Sequence, residues 1–133
     1  MGRSWRDGAG TLVVPGGAAV PVEIAASYRA RRRGLLGRDG ITGAMLLTPA
    51  NSVHTFGMRF PIDVAYLDRH LRVLASVTMP PGRLGLLRPR ARHVLEAEAG
   101  ALAGWGVRAG VRVTVTAGLD GSPGVTAGPG PGE

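Results

Sequence analysis

The stretch Ile62-Asp63-Val64-Ala65-Tyr66-Leu67-Asp68-Arg69-His70-Leu71-Arg72-Val73-Leu74-Ala75-Ser76-Val77-Thr78-Met79 decides the fold. From Ile62 to Leu67 the chain is apolar at both parities except at Asp63, which predicts a central strand buried on both faces. Asp68, Arg69 and His70 read as a hairpin loop. After it, Leu71, Val73, Ala75, Val77 and Met79 share one face, while Arg72, Leu74, Ser76 and Thr78 share the other. That alternation predicts a second strand with one packed face.

Further strands are predicted over residues 20–25, 45–47, 94–97 and 111–115. In the first, Val22 and Ile24 oppose Glu23; in the last, Val111, Val113 and Val115 face in. Ser27 is placed to cap a short helix over 28–36, because its hydroxyl can accept a free first-turn amide. Gly37 would end it. A second short helix is predicted over 100–106, with Leu102 and Trp105 on one face. Helices this few cannot cover both faces of a parallel sheet. The expected fold class is therefore mainly β (α+β), a small antiparallel β-barrel or sandwich with one or two short helices.

At 133 residues the chain has length for one domain. The expected organisation is a flexible N-terminus over 1–9, a single globular β domain over 10–117, and a disordered Gly/Pro-rich tail over 118–133. The tail carries six Gly and three Pro, too little apolar area to offset its ordering entropy. Cysteine is absent, which excludes disulfides, thiolate metal sites and a Cys nucleophile. No apolar run approaches the roughly 20 residues needed to span a bilayer, so no membrane is expected as a partner. Near the N-terminus, Leu12 to Val14 meets Pro15, Gly16 and Gly17. A secretory signal is not expected there, and the expected location is cytoplasmic.

The net charge is +7, and all 16 basic residues are Arg, with no Lys and no Gln. This usage points to a GC-rich genome, so part of the Arg excess is compositional. Two clusters still stand out. Arg29, Arg31, Arg32, Arg33 and Arg38 surround the first helix; Arg83, Arg88, Arg90 and Arg92 follow Met79 with no acid between them. On one face, Arg29, Arg33, Arg38, Arg88, Arg90 and Arg92 would make an anion-binding or nucleic-acid-binding surface. Against that, Tyr28 is the only aromatic in either cluster, where single-strand binding favours interleaved aromatics.

Several stretches together resemble one family. They are RGLLGR (33–38), GAMLL (43–47), HTFGMRFPIDVAYLD (54–68), the Met79-Pro80-Pro81 turn, ARHVLEAEAG (91–100) and GVRAGVRV (106–113). Their order and spacing are similar to the domain of unknown function 192 family of small bacterial and archaeal proteins. The resemblance spans about 95 residues. It implies a compact, mainly β fold with one or two short helices, and no established reaction. Where the family often has Phe-Trp-Met, this chain has Phe56-Gly57-Met58, so a stacking surface is missing there.

The candidate ligand-binding residues are His54, Arg59, Asp63 and Glu96. Asp63 shares a face with Ala65 and Leu67, so it needs partners or a raised pKa. Arg59 is its nearest candidate partner in sequence. His54 is a candidate base beside Thr55 and Phe56. Glu96 and Glu98 share a strand face with Val94, and paired carboxylates suit acid–base work. His54, His70 and His93 are dispersed, so no metal and no cofactor is expected. Phosphate-loop and nucleophile-elbow motifs are absent. The expected function is a non-enzymatic small-ligand-binding or accessory module with a small-molecule or protein partner. The alternatives are a small enzyme built on the His54/Asp63 cluster and an anion or nucleic-acid binder.

Overall fold

A computed structural model describes residues 4–118. The elements in chain order are β1 (Gly8–Val13), β2 (Ala19–Ala25), α1 (Tyr28–Arg33), β3 (Ala44–Leu47), β4 (Ile62–Leu67), β5 (Val73–Met79), β6 (His93–Glu98), α2 (Ala101–Trp105) and β7 (Thr114–Ala117). Among the described residues the strands form one sheet in the order β5-β4-β6-β3-β2-β1-β7. Every pair is antiparallel except β2 with β3. That parallel pair needs a crossover, and α1 supplies it.

The sheet curls until its two edges approach. Ahead of β5 and β7, Arg72 bridges Arg112, the Val73 amide donates to the Val111 carbonyl, and the Val113 amide donates to the Leu71 carbonyl. The edges meet there without closing along their length, so the mainly β, barrel-like expectation holds.

Alternation along the strands divides the apolar residues between two layers. One is the barrel interior, built from Leu12, Val22, Leu46, Ala65, Leu67, Leu95, Val113 and Val115, with Leu102 of α2 packed into it. The other lies outside the central strands. There Met45, Val64, Tyr66 and Val94 are covered by Leu35, Val53, Phe60 and Ala91 from connecting segments. Both faces of β4 are thus buried, as its apolar residues at both parities predict.

Three local readings change. First, β5 does not present one apolar face. A register shift follows Tyr66, so Leu67 pairs Val73 while Tyr66 pairs Ala75. The bulge moves Val73 into the interior and leaves Ala75 and Met79 with the outer layer. Second, β1 was not expected as a strand, because Gly8, Gly10 and the following turn mask its alternation. Gly10 is required by contact: a side chain there would run into the Thr116 carbonyl on β7. Third, strand structure starts at Gly8, ahead of the expected start at residue 10. Trp5 packs on the interior layer, and Asp7 accepts the Ala26 and Ser27 amides at 2.6 and 2.8 Å. Those described residues of the 1–9 segment are therefore tied down. The tail expected over 118–133 lies outside the described residues, apart from Gly118.

Ser27 caps α1 as expected, accepting the Ala30 amide at 3.0 Å, but the helix stops at Gly34 and not at Gly37. Among the described residues no helix is long and apolar enough to cross a membrane.

Val64 and Val113 are fully packed, one in each layer. Val64→Ala or Val113→Ala should cost about 1–3 kcal/mol in urea unfolding, from lost transfer energy plus a cavity. A change under about 0.5 kcal/mol would be that of a surface site.

Candidate functional site

Two buried acids lie on adjacent strands, and the β4–β6 register separates them. Asp63 pairs with Ala97, and Val64 pairs with Glu96. Successive side chains on a strand point to opposite faces. Asp63 therefore faces the barrel interior with Ala65, while Glu96 faces the outer layer with Val64 and Val94.

Asp63 is 5% exposed and its carboxylate is fully engaged. The Thr78 hydroxyl donates to Oδ1 at 2.6 Å; the Gly100 and Leu102 amides donate to Oδ2 at 2.8 and 3.2 Å. Gly100 has no side chain to cap α2, so Asp63 caps that helix from a neighbouring strand. This corrects the expectation that Asp63 binds ligand. It is a structural acid that joins β4, β5 and α2. Arg59 is likewise removed from the site. It does not reach Asp63 but pairs with Asp39 at 3.2 Å on open surface.

Glu96 is different. It is 6% exposed, and among the described residues no hydrogen bond reaches its carboxylate. Burial pushes its pKa up from 4.5 to about 7. It lines a cavity of about 100 Å³ with His54, Met58, Leu35, Leu47, Val53 and the 31–34 end of α1. His54 is exposed at this cavity and stacks on Phe56, with ring centroids 5.2 Å apart. Of the four expected site residues, then, the structure brings His54 and Glu96 to one concavity and sends Asp63 and Arg59 elsewhere. Glu98 is not Glu96's partner: it is exposed and accepts the Ile41 amide at 3.2 Å.

Sequence reading missed the apolar wall and the placement of α1. Arg31 and Arg32 line the Glu96 cavity and also a shallower depression of about 340 Å³ with Tyr28, Pro49, Asn51 and Ser52. Leu47 and Ser52 belong to both, so the two form a continuous groove between α1 and the segment after β3. The readable signal was a single acid in Val94-Leu95-Glu96-Ala97. The crossover that carries α1 over it has no local signature.

Tyr66 sits two residues along the same outer face. Burial raises its phenol pKa, the nearby Glu96 charge adds to this slightly, and Arg88 opposes it from 5.0 Å above the ring. Arg88 therefore belongs to this layer and not to an open anion surface. Two other members of the expected surface are also engaged. Arg38 makes a two-pronged pair with Glu23 at 2.7 and 2.8 Å, and Arg92 donates to the Pro89 and Ala91 carbonyls. Arg29, Arg33 and Arg90 are exposed. Among the described residues no cluster of three His, Asp or Glu could hold a metal ion.

The DUF192 family model, described as an uncharacterised group, matches residues 11–115. UPF0127 protein PH1112 of Pyrococcus horikoshii is 32% identical over 84 residues, which cover 59% of this chain and 73% of that relative. Two crystal structures are similar in fold. One is of a Sinorhizobium meliloti protein described as a candidate transcription regulator (TM-score 0.67, 20% identity, 84% of this chain and 95% of that one). The other is of a protein of unknown function from Novosphingobium aromaticivorans (TM-score 0.65, 19% identity, 79% and 82%).

The two acids should respond oppositely to removal of charge. Asp63→Ala leaves two amides and a hydroxyl without their acceptor, and should cost at least about 2 kcal/mol in chemical denaturation. Arg59→Ala should stay within about 0.5 kcal/mol. For Glu96 the folded pKa lies above the unfolded value, so between pH 4.5 and about 7 the folded state binds the extra proton. Stability should then fall as pH rises through that window and level off above it, by up to about 3 kcal/mol. Glu96→Gln should remove this slope and be more stable than the parent at pH 8; a slope unchanged in the variant would assign it to other groups.

Proposed function

The chain belongs to the DUF192 family, which carries no assigned activity, and from that premise we propose that it is a small-ligand-binding module whose ligand presents a hydrogen-bond donor to Glu96. One observation carries the reading: Glu96, a residue only 6% exposed, lines a cavity with no donor from the described residues on its carboxylate, whose oxygens are not sealed and so can be reached from that cavity. A buried acceptor left unsatisfied is costly, and evolution more cheaply places an apolar residue on a packed strand face. A ligand N–H or O–H would satisfy it.

The surroundings narrow the ligand. Leu35, Leu47, Val53 and Met58 give the cavity apolar walls, the usual setting for a few convergent polar groups. At about 100 Å³ it takes a head group and not a whole cofactor. The body of the ligand would lie along the groove shared with the larger depression, where Arg31 and Arg32 favour a polar or acidic end. A small metabolite with an amine or hydroxyl head and an acidic body fits both.

A second reading is favoured by one fact. A carboxyl with pKa about 7 is poised for general acid–base work near neutral pH. An enzyme would use Glu96 in place of the His54/Asp63 cluster, since Asp63 is consumed by α2.

A thermal-shift series with small amines, amino acids and hydroxy acids tests the proposal. A binder should raise the melting temperature, and Glu96→Gln should weaken it at least tenfold. For an amine head, affinity should fall about tenfold per pH unit below 7, as Glu96 loses its charge, and plateau above. Turnover of the bound compound, lost in the same variant, would move the assignment to the enzyme. Binding that is indifferent to Glu96 would overturn both.

A further inference from the structure

Residues 83–90, between β5 and β6, read Arg-Leu-Gly-Leu-Leu-Arg-Pro-Arg. Leu84, Leu86 and Leu87 are 73%, 72% and 63% exposed. This exposure does not come from a loose loop. The Arg83 amide donates to the Thr55 hydroxyl at 2.8 Å, the Gly85 amide to the Val53 carbonyl at 2.8 Å, and the Arg88 amide to the Asn51 carbonyl at 2.9 Å. Gly85 is pressed against the body: an added Cβ would come within 2.8 Å of the Tyr66 hydroxyl and 3.0 Å of the Val53 carbonyl. With the glycine seated inward, its leucine neighbours on both sides are left in water. Across the loop base, Leu84 bridges His54, which stacks on the exposed Phe56. Three ordered leucines and a phenylalanine held in water mark a contact surface.

The charge around them has one sign. Arg83 and Arg90 flank the leucines and are exposed. No Asp or Glu occurs between Asp68 and Glu96. We infer that this loop docks on an anionic lipid surface, with Leu84, Leu86 and Leu87 entering the acyl boundary and Arg83 and Arg90 at the headgroup phosphates. Apolar tips with basic flanks suit an interface that is anionic outside and apolar beneath. Protein partners fit less well, because a stable protein interface takes roughly 20–30 residues a side and this loop offers eight. Such docking needs no spanning helix. The inference does not rest on a ligand for Glu96, although His54 borders both that cavity and the loop base.

The test is co-sedimentation of the full chain with vesicles of phosphatidylcholine, with and without phosphatidylglycerol. Partitioning should be at least tenfold greater on the phosphatidylglycerol vesicles and should fall as salt rises. The variant Leu84→Ser/Leu86→Ser/Leu87→Ser alters only exposed side chains. It should keep the parental melting temperature and lose at least tenfold in binding. Arg83→Gln/Arg90→Gln should lose several-fold. A Leu86→Trp reporter should shift its emission to the blue on the anionic vesicles alone. Equal binding by the triple serine variant would reduce the effect to net charge and overturn the proposal. So would failure of the parent to sediment with anionic vesicles. If the parent is a dimer in solution and the serine variant a monomer, the occupant is a second copy, and the lipid assignment falls.

Discussion

The antiparallel pairing of β4 with β6, from Ile62 opposite Glu98 to Leu67 opposite His93, is the constraint on which the rest of the structure depends. Both strands are central, and side chains on both faces of each are buried. A slip of one residue would carry Asp63 out of reach of the α2 amides and bring Glu96 into the barrel interior. It would also turn Ala65 and Leu67 outward and Val64 and Tyr66 inward. The interior has no space for a tyrosine at a position that now holds alanine. Apolar packing thus fixes the register, and the register assigns each acid its role.

The physical contrast between those acids is one of hydrogen-bond supply. Asp63 lies where a five-residue helix begins, and the free amides of that helix end are donors without intrahelical partners. Capping them satisfies the carboxylate and the helix together, so burial costs little. Glu96 lies beneath α1 near its C-terminal end, where the free backbone groups are carbonyls. Carbonyls offer a carboxylate nothing. Its burial is unopposed, which is why desolvation alone accounts for its raised pKa. The same kind of residue is structural at one helix start and open to a ligand at another helix end.

What was legible in the sequence follows from how local each signal is. The apolar parity of residues 62–67 is local and gave β4 with its correct ends. The Ser27 cap is local and placed the start of α1 at Tyr28. The face of β5 was not legible, because a bulge changes the parity of every residue beyond it and leaves no mark in an apolar run. β1 was hidden by Gly8 and Gly10, which lower strand propensity, although Gly10 permits the close approach to β7. In the site, the burial of Asp63 could be read from its apolar neighbours, while that of Glu96 could not, because Glu98 and Arg92 share its strand parity and suggest a polar face. Which acid was capped could not be read either, since Asp63 meets Gly100 across 37 residues. Arg59 was the nearest cation in sequence, yet it lies on open surface beside Asp39.

The division into two layers also explains where a site could arise. The barrel interior is closed by strands on its sides and by α2 at one end, and its members include packed side chains from all seven described strands. The outer layer over β3, β6 and β4 is roofed by α1 and by connections, not by a second sheet. Connections meet a sheet less completely than another sheet does, and they can vary without disturbing the strand ladder. An unsatisfied carboxylate inside the barrel would be trapped with no route to water or ligand. Under α1 it lies one helix away from solvent, beside His54 and a groove that opens past Tyr28. The crossover forced by the single parallel strand pair is therefore what turns Glu96 from a packing defect into an addressable group.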